Sequence, residues 1–470
     1  MNAHIFRAND IRGLAHSELT PQLVSAIGAA FARMLPAKKH PRVFVGKDAR
    51  THSETLAHSF LAGLASVPCE VVYGGDCTSP ISYFAASPAG GGFDATVMVT
   101  GSHNPPEYNG LKMTLGGRSL SPDQITTLRL GCGSAVTGTP MVPRVDTSVL
   151  VRYREYLCSL FPTLQGMRIG IDCANTTMAL VAPEVLGCLG AEVHALFTEI
   201  DGTFPNHHPD PTIAENLTDL MDLVRQQRLD VGFAYDGDGD RVGVVLPHPD
   251  DGVRILWSDQ LLLLFARDMA RRYPGRPITV VSEVKCSQLM YDGINRLPGF
   301  RAIMGKAGHS FIKSRMLDTG ALLGGEMSGH IFFADEYLGF DDALYASCRF
   351  ACLLKQGVDI WDELREFEQV CSTAELRLES DDQRKVQIVD AVATYLRDPA
   401  VRSASGIQDI IDVDGLRICF GAGAWALLRA SNTQPALVMR VEAATPAELE
   451  RYQCFVEQLI ERVSPRVAEA

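Results

Sequence analysis

The chain has no long apolar run, no cysteine pair at CxxC spacing, no surplus of positive charge and no low-complexity tract, and each absence closes off a class of function. Its most apolar short run, Leu261–Phe265, falls far short of the ~20 residues that a membrane-spanning helix needs. Met1–Gly13 already carries Arg7, Asp10 and Arg12 and lacks the apolar stretch of a secretory leader, so a cytoplasmic protein with no membrane partner is expected. With 43 Lys and Arg against 56 Asp and Glu, the net charge is −13, which argues against nucleic acid as a partner. An anionic substrate would need a local basic pocket. The 12 cysteines are scattered through apolar surroundings, as with Cys173 in RIGIDCAN and Cys348 and Cys352 in a helical pattern. They read as buried free thiols in a reducing compartment. No heptad or unpartnered apolar stripe stands out, so a monomer is expected.

What is present points to a large soluble, globular, multidomain protein. The 470 residues exceed what one hydrophobic core organises, and 46% hydrophobic with 21% charged residues is an ordinary globular composition. Short β-rich runs alternate with helical patterns through the first three quarters. VFVGKD from Val43, CEVVYGG from Cys69 and ATVMVTG from Ala95 predict strands, and Pro21–Met34 and Ser53–Leu64 predict helices. The rhythm restarts at Met167 and again at Pro277, which implies successive α/β domains with largely parallel sheets. Gly138–Pro143 and the PHPDDG stretch from Pro247 are the expected boundaries. After about Gln369, strands cluster without intervening helices, which predicts a separate α+β domain.

Four segments carry chemistry. In Val97–Lys112, an apolar strand runs into a loop presenting Ser102 beside His103, with Lys112 following. Ligands of α/β sheets bind at the carboxyl ends of strands, although Gly, Ser, Asn and Pro also fill ordinary turns. The loop lacks the GxSxG spacing of a hydrolase nucleophile elbow. In Ala234–Val245, Asp236, Asp238 and Asp240 alternate with glycines between two apolar strands. Carboxylates this close repel one another unless a cation neutralises them, and all-oxygen ligation suits Mg²⁺ or Ca²⁺. An EF-hand is excluded by Arg241 where its Gly belongs and Pro247 where its Glu belongs. Arg241, next to the third Asp, is suited to an anion shared with the metal. In Ala321–Phe333, Glu326, Ser328 and His330 occupy a Gly-flanked turn that could present polar atoms to sugar hydroxyls. In Trp425–Arg440, Arg429 leaves a strand and is followed by Ser431, Asn432 and Thr433, a combination suited to a dianionic phosphate.

These segments, with FRANDIRG at Phe6, VGKDAR at Val45, FPNHHPDPT at Phe204, SEVKCS at Ser282 and GKAGHS at Gly305, make the sequence similar to the α-D-phosphohexomutase superfamily along essentially its whole length. Within that superfamily it resembles the bacterial enzymes acting on phosphomannose and phosphoglucose. The resemblance implies three related mixed α/β domains and a smaller, movable C-terminal α+β domain around a central cleft. On this sequence those would be residues 1–146 with the phosphoserine loop, 147–249 with the metal loop, 250–367 with the sugar loop and 368–470 with the phosphate loop.

By the same resemblance, Ser102 would be the phosphoserine that gives and takes the phosphoryl group. Mg²⁺ would be held by Asp236, Asp238, Asp240 and an oxygen on Ser102, and Arg12, Lys112 and His103 would serve the reacting groups. Lys112 as a general base would need a lowered pKa. Arg241, Lys285, His309, Glu326, Ser328 and His330 would contact the phosphosugar, Arg429, Ser431, Asn432 and Thr433 its distal phosphate, and glucose 1,6-bisphosphate would be activator and intermediate. The sequence departs from the pattern at Asn9, where a Tyr is usual, and in DCANTT at Asp172, where a Gly usually follows the Asn. Met327, in place of the Gln expected in phosphoglucosamine mutases, favours hexose over hexosamine.

Overall fold

A computed structural model describes residues 3–8, 10–133, 144–381, 383–431 and 435–468, with side chains described as far as residue 464. Asn9, Asn432 and Thr433, and the whole of the boundary expected at Gly138–Pro143, lie outside the described residues. The chain divides into two compact units, residues 1–257 with 328–357 and residues 258–327 with 358–470. Among the described residues no helix is long and apolar enough to cross a membrane.

The first unit holds two sheets of the same design. In the first, Glu70–Asp76, Arg42–Lys47 and Ala95–Val99 run parallel, and Tyr108–Leu115 and Ile11–Leu14 continue the sheet antiparallel. In the second, Glu192–Leu196, Arg168–Asp172 and Val231–Tyr235 run parallel, and Val242–His248 and Gly252–Leu256 follow antiparallel. The sheets are therefore mixed, more so than alternation alone implied. Helical crossovers produce the parallel strands, whereas the Ser102 and Asp236 loops each turn the chain straight back. PHPDDG is the turn of a hairpin, so the second sheet runs on to Leu256 and the expected boundary at residue 249 cuts through it.

Both sheets carry buried β-branched strands under helices. Val43, Val45, Val97 and Val99 pack with Phe31 and Phe60 from helices Pro21–Ala32 and Ser53–Leu64, all fully buried. The first helix starts where Thr20 caps the amide of Leu23 and Pro21 supplies a ready φ.

In the second unit, Phe300–Gly305, Ile278–Glu283 and Leu323–Gly325 run parallel in that order. A separate antiparallel sheet runs from Cys371–Ser372 through Ala436–Ala443, Ala424–Ala430 and Leu416–Gly421 to Asp409–Ile411. Helices Arg384–Tyr395 and Pro446–Ala468 cover it, giving the α+β arrangement. This sheet is fastened to the rest of its unit by Arg417. That guanidinium lies 3.7 Å from the Trp425 ring centroid and donates to Val284 O (2.6 Å) and Cys286 O (2.8 Å).

Candidate active site

Ser102 lies within the Gly101–Asn104 turn that follows strand Ala95–Val99, is fully buried, and has φ +50°. A non-glycine residue in that region costs on the order of 1–3 kcal/mol and persists only when its surroundings over-determine it. They do here. Ser102 N donates to Thr100 Oγ1 (2.8 Å), and Thr100 Oγ1 and Gly101 N donate to Asp48 Oδ2 (2.7 and 3.1 Å). Buried Arg50 gathers the loop's carbonyls, donating to Ser102 O (2.7 Å), Pro105 O (2.5 Å), Tyr108 O (3.0 Å) and Asn104 O. The VGKDAR motif thus serves through Asp48 and Arg50, which sequence reasoning quoted without assigning them a role.

The acidic loop Asp236–Arg241 is wound around one oxygen. Asp236 Oδ1 accepts from the amides of Gly239, Asp240 and Arg241 at 3.0, 3.1 and 3.2 Å. Its other oxygen accepts from Ser102 Oγ at 3.1 Å. The two loops touch so closely that a Cβ on Gly237 would lie 2.1 Å from Ser102 O. Ser79, at the start of helix Ser79–Ala86, donates its amide to Asp238 O (2.8 Å) and its hydroxyl to Asp238 Oδ2. Sequence reasoning missed it, although TSP before a helical run is an N-cap signal.

Asp236, Asp238 and Asp240 are fully buried, and each offers a carboxylate oxygen within 4.8 Å of the others. Burial, and then the charges of Asp240 and Asp238, push the Asp236 carboxyl well above the usual range. Asp238 Oδ1 is buried with no hydrogen-bond partner among the described residues. An orphaned oxygen in a crowded carboxylate cluster suits a hard divalent cation.

The cations around the cluster are Lys112, Arg12 and Arg241. Lys112 Nζ lies 2.7 Å from Asp238 Oδ2 and 2.5 Å from Asp240 Oδ2. Burial alone would lower its pKa, but Asp238 and Asp240 outweigh burial and hold the ammonium above its ordinary range. That is opposite to what a general base needs, because the charges pressing on Lys112 are anionic. Arg12 Nε donates to Asp10 Oδ2 (2.7 Å), while its buried Nη1 has no hydrogen-bond partner among the described residues. Arg241 Nε is 3.3 Å from His330 Nε2, which is 3.2 Å from Asp240 Oδ1, and His330 Nδ1 is 3.0 Å from Ser328 Oγ. His103 Nδ1 stands 3.2 Å from Ser102 Oγ. Burial, then Arg241 and Arg12, hold its imidazole well below the usual pKa, so it is neutral.

The second unit collects the remaining candidates. Gly308 N, just before His309, donates to Glu326 Oε1 (2.6 Å), and Ala307 N donates to Asp414 Oδ2 (3.0 Å). The same Asp414 oxygen lies 3.0 Å from Arg429 Nη2, off the hydrogen-bond axis, so buried Nε and Nη2 of Arg429 make no hydrogen bond among the described residues. Lys285 Nζ pairs with Glu375 Oε2 (3.0 Å) and feels the charges of Arg429 and Glu326. Buried Glu283 joins Lys285 to the sugar-loop candidate, accepting from Lys285 N (2.7 Å) and Met327 N (3.2 Å). Lys385, from helix Arg384–Tyr395, donates to Ser431 O at 2.7 Å. Neither Glu283 nor Lys385 was singled out by sequence, since the contacts of Glu283 with Met327 and of Lys385 with Ser431 are made across the fold.

Comparison with known proteins accords with this geometry. The sequence matches the phosphoglucomutase/phosphomannomutase profiles for alpha/beta/alpha domain I at residues 3–130, domain II at 155–249, domain III at 257–370 and the C-terminal domain at 375–459. It is 39% identical to a Pseudomonas aeruginosa phosphomannomutase/phosphoglucomutase over 98% of this chain and 96% of that protein. It is likewise 39% identical to a Neisseria gonorrhoeae phosphoglucomutase over 97% of this chain and 96% of that one. Among solved structures, a Burkholderia thailandensis phosphoglucomutase/phosphomannomutase family protein superposes with a TM-score of 0.86 at 35% identity, covering 98% of each chain. The chain therefore belongs to the phosphoglucomutase/phosphomannomutase family of α-D-phosphohexomutases and is an enzyme of the isomerase class.

Proposed function

We propose that this enzyme moves a phosphoryl group reversibly between the 1- and 6-oxygens of mannose and glucose phosphates, by way of phosphorylated Ser102 and a hexose 1,6-bisphosphate. The observation that carries the reading is the contact of Ser102 Oγ with Asp236 Oδ2 at 3.1 Å, in a carboxylate cluster that leaves Asp238 Oδ1 unpartnered. A nucleophile built against a cation site is the arrangement phosphoryl transfer requires.

In this reading, Asp236, Asp238 and Asp240 hold Mg²⁺, which offsets charge on the phosphoryl group in flight. Ser102 gives its phosphoryl group to the free hydroxyl of a hexose monophosphate. The bisphosphate turns end for end, and the other phosphoryl group returns to Ser102. Arg12 offers its Nη1, which has no hydrogen-bond partner among the described residues, to the transferring group, and Lys112 acts as a fixed cation beside Asp238 and Asp240. Arg241 and His330 orient the sugar phosphate, with Lys285, His309, Glu326 and Ser328 reading hydroxyls common to glucose and mannose. Arg429 and Ser431 grip the phosphate that is not reacting, and the spare donors of Arg429 support that assignment. Boundaries near residues 146 and 367 and a monomeric, cytoplasmic enzyme complete the proposal.

The test is conversion of mannose 1-phosphate and glucose 1-phosphate to their 6-phosphates with Mg²⁺ and a trace of glucose 1,6-bisphosphate. Wild type should turn over both, and Ser102→Ala should lose roughly 10⁴-fold or more. An inactive wild type with glucosamine 1-phosphate turned over instead would replace the hexose assignment. Net release of inorganic phosphate would make the enzyme a phosphatase.

A further inference from the structure

The FPNHHPDPT motif has no part in the chemistry above, yet its loop is among the most tightly built in the first unit. Three non-glycine residues near it, Ala174, Asn175 and Phe197, have φ of +46°, +58° and +51°, and Phe204 in the motif itself has +53°. Each is in the left-handed region that side chains avoid, so the surroundings must enforce it. Asn206 Nδ2 donates to Asn175 Oδ1 (2.8 Å), Asn175 Nδ2 donates to Glu199 O (2.8 Å), and Asp201 N donates to Asn175 O (3.0 Å). His207 Nε2 is 2.9 Å from Asp172 Oδ2 at the end of strand Arg168–Asp172. The loop is thus anchored to the second sheet through the DCANTT motif.

Its outer side meets the Ser102 loop of the first sheet. The buried Phe204 ring lies under the Arg50 guanidinium, 5.2 Å from centroid to Cζ. A Cβ on Gly202 would fall 2.2 Å from Ala49 O and 2.6 Å from Arg50 Cα, so the two backbones are in direct apposition. The His208 imidazole lies close enough to the backbone carbonyl of His103, the residue after Ser102, to feel it. Arg50 holds Ser102, Asn104, Pro105 and Tyr108 by their carbonyls, so whatever fixes its plane fixes that loop.

We infer that Phe204 and His208 are positioning residues. They brace the Ser102 loop from the second domain, Phe204 by seating Arg50 and His208 by pinning the His103 carbonyl, and so keep the serine hydroxyl in line for transfer. The inference rests on Ser102 being the reacting group, but the brace itself can be read without activity.

The experiment compares wild type with Phe204→Leu, Phe204→Tyr and His208→Ala by hydrogen–deuterium exchange of the full chain and by mutase kinetics. Phe204→Leu and His208→Ala should accelerate exchange at residues 100–108 while leaving distant segments unchanged. They should lower kcat by about tenfold with KM within about twofold, since a misplaced nucleophile weakens transfer more than binding. Phe204→Tyr keeps the aromatic face and should restore both readouts. Unchanged exchange at residues 100–108 in both disruptive variants would overturn the brace, whatever the activity. Accelerated exchange in an enzyme whose wild type has no mutase activity would keep the brace and sink the functional reading. If Phe204→Leu does not fold, His208→Ala decides by the same readouts.

Discussion

The two units bury charge in opposite ways. In the first, Asp236, Asp238 and Asp240 crowd one loop, Lys112 pairs with two of them, and an Asp238 oxygen has no hydrogen-bond partner among the described residues. In the second, buried cations stand among buried carboxylates such as Glu283, Glu326 and Glu442 and are mostly satisfied. Arg417 donates to two carbonyls, Arg440 donates to Lys285 O (2.6 Å), and Lys285 is paired with Glu375. Arg429 is the exception, with two buried nitrogens that make no hydrogen bond among the described residues. A buried polar atom without a hydrogen bond is costly, so Asp238 Oδ1 in one unit and the Arg429 nitrogens in the other are the atoms that the proposed metal and phosphate would satisfy.

The largest effect should come from closing the gap between the two loops of the first unit. Gly237→Ala would drive a methyl group into Ser102 O, 2.1 Å away, and should lower kcat by roughly 10²-fold through displacement of the nucleophile. Activity near wild type would mean that the loops slide freely. In the second unit, Arg429→Ala should raise KM for hexose phosphates by roughly 10- to 100-fold, the worth of one or two charge-assisted hydrogen bonds. An unchanged KM would remove Arg429 from the phosphate grip.

A sharper contrast lies in stability without ligand. Asp238→Asn should weaken Mg²⁺ binding, followed calorimetrically, by at least about tenfold, yet raise the Tm of the metal-free protein, because it relieves buried repulsion. A lower metal-free Tm would show the acidic loop to be compensated already. The smallest effect is a pH dependence in the second unit. Burial favours neutral Glu375, but Lys285 and Arg377 override it and hold the carboxyl at about 2, below its usual 4.5. A depressed folded-state pKa stabilises above the unfolded value and is lost as pH falls toward the folded one. Wild type should therefore exceed Glu375→Gln in unfolding free energy by at most about 3 kcal/mol above pH ~4.5, the gap closing toward pH 2. A difference independent of pH would assign Glu375 a packing role.

Much of this was legible in order along the chain. The strands at Val43, Val97, Ile169 and Val231 show themselves as β-branched runs, and the acidic loop as alternating Asp and Gly, because both signals are local in sequence. PHPDDG, expected as a boundary, is the turn of a hairpin, since Pro, Asp and Gly mark turns within a sheet as readily as junctions between sheets. Arg50, Ser79, Glu283 and Lys385 stayed unassigned because their partners lie far away along the chain, and nothing beside them in sequence records which carbonyl or carboxylate they will meet.

The sequence by itself determined the domain rhythm, the chemistry of each loop and the family, all of which depend on which residues stand next to one another. Only the tertiary structure decided the sign of the Lys112 shift, the left-handed pose of Ser102 and the seating of Arg50 on Phe204. Charge and strain at a buried atom are set by whichever groups surround it in space, and those groups come from sheets that the chain reaches at different points along its length.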